Sequence, residues 1–231
     1  MWDLVPKPQQ KNIIGTKWVF INKLNEQGEV VRNKARLGAQ GYSQQEGIVY
    51  TETFAPVARL EAIRLLLSYA VNHGIILYQM DVKSAFLNGV ILEEVFVKQP
   101  LAFEDLKYPD HVYKLKKSLY GLKQAPGAWY DRLSNFLIKN DFKIGQVDTT
   151  LFKRTVEKDI LVVQIYVDDI IFGSTNASHC KEFSKLMQDE FEMSMMGELK
   201  FFLGIQINQS KDGVYVHQTK YTKELSQEVQ A

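Results

Sequence analysis

The sequence predicts an α+β fold built on a mostly antiparallel sheet, and three observations lead to it. Short runs rich in β-branched residues alternate irregularly with amphipathic helical stretches. Turn-forming residues join successive runs into hairpins, above all in the second half of the chain. No repeat or low-complexity segment interrupts the pattern. With 231 residues, 45% of them hydrophobic and 12% aromatic, the chain can bury one large core or two smaller ones.

The elements follow in order. Residues 17–24 (KWVFINKL) and 29–37 (EVVRNKARL) read as strands joined through Asn25-Glu26-Gln27-Gly28, whose Asn and Gly suit a turn. The ribbon is basic, with Lys17, Lys23, Arg32, Lys34 and Arg36, so it is expected to project rather than to fill a core. Residues 57–73 repeat apolar positions at Leu60, Ile63, Leu67, Ala70 and Val71 between Pro56 and Gly74, which predicts an amphipathic helix. Strands are expected over 75–82 (IILYQMDV), which carries Asp81 at its end, and over 94–98 (EVFVK). Trp129, Leu133, Phe136 and Leu137 share one face of a helix over 123–139, with Pro126 in its first turn. Residues 149–155, 160–167 and 170–173 read as strands, and 177–191 as a helix that keeps Phe183, Leu186, Met187 and Phe191 together. A last hairpin spans 200–208 and 213–217 around Lys211-Asp212-Gly213, and the remainder reads as the start of a helix.

Composition excludes several classes. No apolar run approaches the ~18 residues of a membrane span. The start, MWDLVPKPQQ, has neither the basic nor the apolar region of a secretory signal. One cysteine rules out an internal disulfide framework and fits a reducing compartment; Cys180, beside Phe183 and Met187, reads as a small buried thiol. His73, His111, His179 and His217 lack metal-ligand spacing. The net charge of +1 speaks against a wholly basic nucleic-acid coat, but positive charge is segregated. It gathers in residues 11–36 and again at Lys114, Lys116, Lys117 and Lys123, either as solvated surface or as one wall of a cleft.

The stretch QIYVDDIIFG (164–173) sets Asp168 and Asp169 between apolar runs, at the tip of an expected hairpin. Asp is common in turns, and the pair can be simple turn formers. Like charges held close disfavour joint ionisation, however, and a divalent cation resolves that conflict. Oxygen ligands alone suit magnesium or manganese. Such an ion needs a further acid from another strand end, and Asp81 in YQMDVKSAF is the candidate. Pattern alone leaves both readings open.

YVDD and YQMDVKSAF resemble the two metal-binding motifs of a reverse transcriptase palm. WDLVPKP, IGTKWVFINK, NKARLGAQGYSQQEGIVYTETFAPVAR, IRLLLSYAVNHG, SLYGLKQAPGAWYDRL, DTTLFKR and GELKFFLGIQI resemble, in this order, the copia-type retrotransposon reverse transcriptase. The resemblance runs from Trp2 to about Tyr221, and blocks in this order are a specific signal. It implies a right-hand polymerase with fingers-like segments over about 1–75 and 90–125. The palm, with a primer-grip hairpin, would cover 76–89 and 126–217, and a truncated thumb 218–231.

The resemblance also implies roles. Two divalent ions, Mg2+ or Mn2+, would be held by Asp81 and Asp168 with Asp169 assisting, and the carbonyl of Val82 would add an oxygen. Phe86 would stand beneath the sugar and exclude a 2′-hydroxyl, against the alternative that it packs in the core. Lys34 or Arg36 would hold the triphosphate, the Arg by bidentate pairing. Tyr120 and Gly121 would lie against the nucleotide; many reverse transcriptases have Gln at the Tyr120 position. Lys123, Gln124, Pro126, Tyr166, Phe202, Leu203 and Gly204 would contact template or primer. The implied partners are an RNA or DNA template with its primer and deoxynucleoside triphosphates, and no membrane. The ribonuclease H and integrase segments of a Pol polyprotein are not represented. The implied location is intracellular and cytoplasmic, in a virus-like particle, with nuclear delivery open.

The chain departs from the family pattern at Gly38 and Gln40, where ARLVAKGY is usual, at Val49, where an Asp is usual, and at Gly127, where an Arg is usual. None of these removes a carboxylate. Three hypotheses therefore stand: an RNA- or DNA-templated DNA polymerase core, a decayed copy that binds nucleic acid weakly without chemistry, and an unrelated metal-dependent phosphohydrolase.

Overall fold

The computed structural model describes residues 1–24, 29–47, 50, 53–210 and 212–228. The expected turn at 25–28, Val49 and Lys211 lie outside them. In chain order the first strands are β1 (Trp2–Val5), β2 (Ile13–Ile14), β3 (Thr16–Leu24) and β4 (Val30–Ala39). Helix α1 (Leu60–Asn72) and β5 (Ile76–Val82) follow, then a short 3-10 turn over Ala85–Asn88, β6 (Phe96–Lys98) and β7 (Val112–Leu115). Helix α2 (Ala125–Lys139) leads into β8 (Lys143–Ile144), β9 (Leu151–Val156), β10 (Asp159–Tyr166) and β11 (Asp169–Ser174). Helix α3 (Ala177–Glu190) precedes β12 (Met193–Glu198), β13 (Phe201–Phe202), β14 (Ile205–Ser210), β15 (Gly213–His217) and α4 (Thr219–Glu228).

The chain divides into two compact units. The first comprises Met1–Ala55 and Ser84–Asn135, the second Pro56–Lys83 and Phe136–Ala231. In the first, a four-stranded sheet of order β1-β7-β6-β2 packs Ile14, Val95, Val97 and Leu115 with Leu119, Leu122 and Ala125. The β3–β4 ribbon is a separate two-stranded sheet. Its register sets Lys17, Val19, Ile21 and Lys23 opposite Gly38, Arg36, Lys34 and Arg32. Directly opposed residues share a face, so five cations line one side of the ribbon. Trp18 and Phe20, opposite Leu37 and Ala35, occupy the other.

The second unit is built on a six-stranded sheet of order β12-β5-β11-β10-β9-β8, with every neighbouring pair antiparallel. Period-two alternation divides the central strands cleanly. Leu77, Ile171 and Val162 pack with Ile63, Leu66, Leu67 and Ala70 of α1 and with Phe202, Ile205 and Ile207 of the small β13-β14-β15 sheet. Among the alternate residues, Phe172 meets Phe183 of α3 at 4.9 Å between ring centroids.

Several expectations shift. The helix expected over 57–73 begins only at Leu60, because Arg59 is extended and caps it while Ala58 is buried in the core beside it. Residues 56–75 belong to the second compact unit, where the apolar face of α1 is covered by Leu77 and Ile171. The run 200–208 is broken by Leu203-Gly204, both with positive φ (48° and 79°), which folds β13 onto β14. Strands β1, β2, β7, β8 and β12 were not anticipated. They are short or half-polar; partners remote in the chain order β1, β2, β7 and β12, while β8 pairs with the nearby β9. Cys180 is buried as expected, and burial pushes its thiol up.

Candidate active site

The carboxylates come together in the second unit through strand register. Asp169 stands directly opposite Asp81 on neighbouring antiparallel strands, with Ser194 of β12 on the other side of Asp81. Tyr166 pairs with Asp169 across the β10–β11 hairpin, which leaves Val167 and Asp168 as a two-residue loop. Only Asp168 therefore occupies the turn; Asp169 is a strand residue. Val167 has φ of 55°, the one positive φ in that loop and a costly conformation for a β-branched residue. The turn is further held by the Val82 N–H, which donates to the Asp168 carbonyl at 2.9 Å. One residue on, the Lys83 N–H donates to the Glu192 carbonyl at 2.9 Å. The end of β5 is thus clamped on both edges.

The electrostatics follow from this packing. Burial raises the Asp169 carboxyl above the ordinary Asp value; the amide of Gln79, donating to Asp169 Oδ1 at 2.7 Å, opposes that rise, and the nearby charges of Asp168 and Asp81 add to it. Gln79 was not singled out from sequence. It lies two residues before Asp81 on a strand, hence on the same face, and that spacing was the available signal.

The three acids do not form a self-contained cage. Among the described residues, no group of three or more His, Cys, Asp or Glu side chains is arranged to hold a metal ion by itself. The donor set is oxygen-only and half-buried, with Asp81 and Asp169 on one sheet face and Asp168 in the adjoining turn. That fits magnesium, which is commonly bound by one or two carboxylates together with substrate phosphates rather than by an all-protein cage.

Two other expected residues join this group. Tyr166 meets Phe202 edge-on at 5.5 Å, and Phe202 itself is buried, so it supports the adjoining Leu203-Gly204 turn rather than presenting its own ring. Leu203 and Gly204 are exposed.

The expected nucleotide residues assemble in the first unit. The Arg36 guanidinium lies 4.0 Å from the centroid of the Tyr120 ring, and that ring lies 5.1 Å from Phe86. The stack is tied down at the backbone. Ala39 N–H donates to the Tyr120 carbonyl at 2.7 Å, and the Ser118 hydroxyl donates to the Phe86 carbonyl. Phe86 is half-buried and packs against the first unit's core. Lys34 shares the basic face of the ribbon with Arg36. Gly121 answers to a local demand, having φ of 87° and no room for a Cβ against the Ala39 carbonyl.

Lys123 and Gln124 are engaged within the protein. The Lys123 ammonium donates to the Tyr50 hydroxyl at 3.0 Å and its backbone N–H to Gln44 Oε1 at 2.9 Å. Gln124, buried, accepts from Gln44 Nε2 at 2.9 Å. Gln44, unremarked in the sequence, organises this loop. Pro126 sits in the first turn of α2 as expected.

Comparison with known proteins agrees with these blocks. Residues 1–230 match the family described as reverse transcriptase (RNA-dependent DNA polymerase). The chain is 39% identical over 225 residues to the retrovirus-related Pol polyprotein from transposon RE2 of Arabidopsis thaliana, covering 97% of this chain and 16% of that protein. It is 34% identical over 227 residues to the corresponding polyprotein from transposon TNT 1-94 of Nicotiana tabacum, covering 97% and 17%. A truncated transposon Ty1-A Gag-Pol polyprotein of Saccharomyces cerevisiae is 26% identical over 186 residues. The chain spans about a sixth of the length of the first of these relatives.

Proposed function

The chain belongs to the reverse transcriptase (RNA-dependent DNA polymerase) family, and from that membership we propose that it is the templated DNA polymerase core of a retrotransposon Pol polyprotein. It would transfer deoxynucleotides to a primer 3′-hydroxyl on an RNA or DNA template. The observation that carries this reading is the register of Asp81 opposite Asp169, with Asp168 in the adjoining turn. A nucleotidyl transferase needs convergent oxygen ligands, here at the ends of neighbouring strands, left incomplete until the triphosphate arrives.

Asp81, Asp168 and the Val82 carbonyl would hold the divalent ions, and Asp169, held by Gln79, would keep negative charge behind them. Such ions, when bound, lower the pKa of the attacking hydroxyl and stabilise charge on the leaving pyrophosphate. The remaining roles fall to the chain itself. Arg36 and Lys34 would orient the triphosphate, the Arg by paired hydrogen bonds to phosphate oxygens. Phe86, braced by Tyr120, would limit space at the sugar 2′ position. The Leu203-Gly204 turn would seat the primer end.

Primer extension tests the proposal. The purified chain, given primer–template, deoxynucleotides and magnesium or manganese, is expected to add nucleotides complementary to the template. Asp81→Asn and Asp168→Asn should each lower the rate by at least about a hundredfold, since each displaces several kcal/mol of transition-state stabilisation. Extension that persists in both variants would overturn the assignment.

A further inference from the structure

The amide of Gln209 is spliced into the backbone ladder of β5. Strand β12 pairs with β5 as far as Glu198 opposite Tyr78, and Leu199 N–H then donates to the Leu77 carbonyl at 2.9 Å. An antiparallel pair would return the second bond from Leu77 N–H to the Leu199 carbonyl. Instead Leu77 N–H donates to Gln209 Oε1 at 2.9 Å. Gln209 Nε2 donates to the Leu77 carbonyl at 2.9 Å and reaches the Leu199 carbonyl at 3.4 Å.

The side chain therefore acts as a peptide group inserted between two strands. Leu77 and Leu199 are fully buried, so these backbone groups have little access to water. A carboxamide supplies both an acceptor and donors at one position and carries no charge into the buried site. Gln209 itself belongs to β14, opposite Val214. Its amide links the β13-β14-β15 sheet to the strand that ends in Asp81 and Val82, beside the apolar cluster that includes Leu77, Phe202, Ile205 and Ile207.

We propose that Gln209 is a positioning residue for catalysis. It holds the β13–β14 turn, where the primer end would sit, at a set position along β5 and hence relative to the carboxylates. This rests on the polymerase reading above. Apolar contacts between the two sheets tolerate sliding, whereas three hydrogen bonds from one amide define a single register.

The test uses the full chain with Gln209→Leu, Gln209→Glu and, as a milder change, Gln209→Asn. Hydrogen exchange at the Leu77 amide is expected to speed up at least about tenfold in Gln209→Leu, while exchange at Val163, two strands away, stays unchanged. In single-turnover extension with saturating primer–template and deoxynucleotide, the rate constant should fall about tenfold with the half-saturating deoxynucleotide concentration unaltered. A residue needed only for folding would reduce the amplitude, that is the active fraction, and leave the rate constant alone. Unchanged Leu77 exchange, or loss of amplitude alone, overturns the proposal. If the unsubstituted chain neither binds nor extends a primer, the polymerase reading fails, and Leu77 exchange still decides whether Gln209 joins the two sheets.

Discussion

Arg36 lies over the face of Tyr120, 4.0 Å from guanidinium carbon to ring centroid, and the same ring lies 5.1 Å from Phe86. One aromatic ring thus touches both the cation proposed for the triphosphate and the ring proposed for the sugar. A cation–π contact of this kind contributes about 0.5–2 kcal/mol and orients the guanidinium plane. Tyr120→Phe should retain nucleotide affinity, whereas Tyr120→Leu should raise the half-saturating deoxynucleotide concentration about fivefold or more. Steady-state single-nucleotide incorporation checks this, and equal values for the two variants would remove the ring from the account.

Phe86→Val should admit ribonucleotides. The smaller side chain opens space at the 2′ position while the Ser118 hydroxyl still holds the backbone carbonyl at residue 86. Discrimination between deoxy- and ribonucleotide should fall at least about tenfold. If it does not change, Phe86 is a core residue and nothing more.

Asp169 makes folding stability depend on pH in a defined direction. Its carboxyl is raised chiefly by burial, with Asp168 and Asp81 adding and Gln79 opposing. The folded state therefore binds the proton more tightly than the unfolded chain. Its contribution is fully present below the ordinary carboxylate range and is lost as pH rises through the elevated folded value. Asp169→Asn should melt a few degrees above the parent at pH 7, with the gain vanishing in acid. Melting curves at pH 7 and pH 4 decide this, and a constant difference would show that ionisation is not the cause.

The family pattern that the sequence resembles implies Lys and Arg at the positions of Gln40 and Gly127. If position 40 faces the nucleic-acid backbone, Gln40→Lys should steepen the dependence of log affinity on log salt by about one unit. At Gly127 a Cβ would come within 3.2 Å of the Phe54 carbonyl. Gly127→Arg should therefore forfeit part of the ~1 kcal/mol that replacing a helical glycine normally contributes. Binding of labelled primer–template across a salt series, with melting curves beside it, separates the two effects.

Much of this protein was legible before any coordinates. The Asp168-Asp169 pair declared itself because two like charges between β-branched runs conflict locally, and local conflicts are visible in a short window. The amphipathic faces of α1, α2 and α3 showed for the same reason, since helical periodicity needs only neighbouring residues. The family blocks added the order of the parts. What only the tertiary structure decided depends on partners far apart in the chain. Asp169 is the residue directly opposite Asp81 because the β5–β11 register sets it there, and a shift of one would turn every side chain to the other face. The partners of Lys123 and Gln124, Tyr50 and Gln44, lie some 70–80 residues away in the chain. Residues 56–75 went to the second unit because its sheet offered the apolar surface that α1 must cover. Gln209 gave no sign at all, because a side chain that completes another strand's backbone hydrogen bonds leaves no pattern in its own.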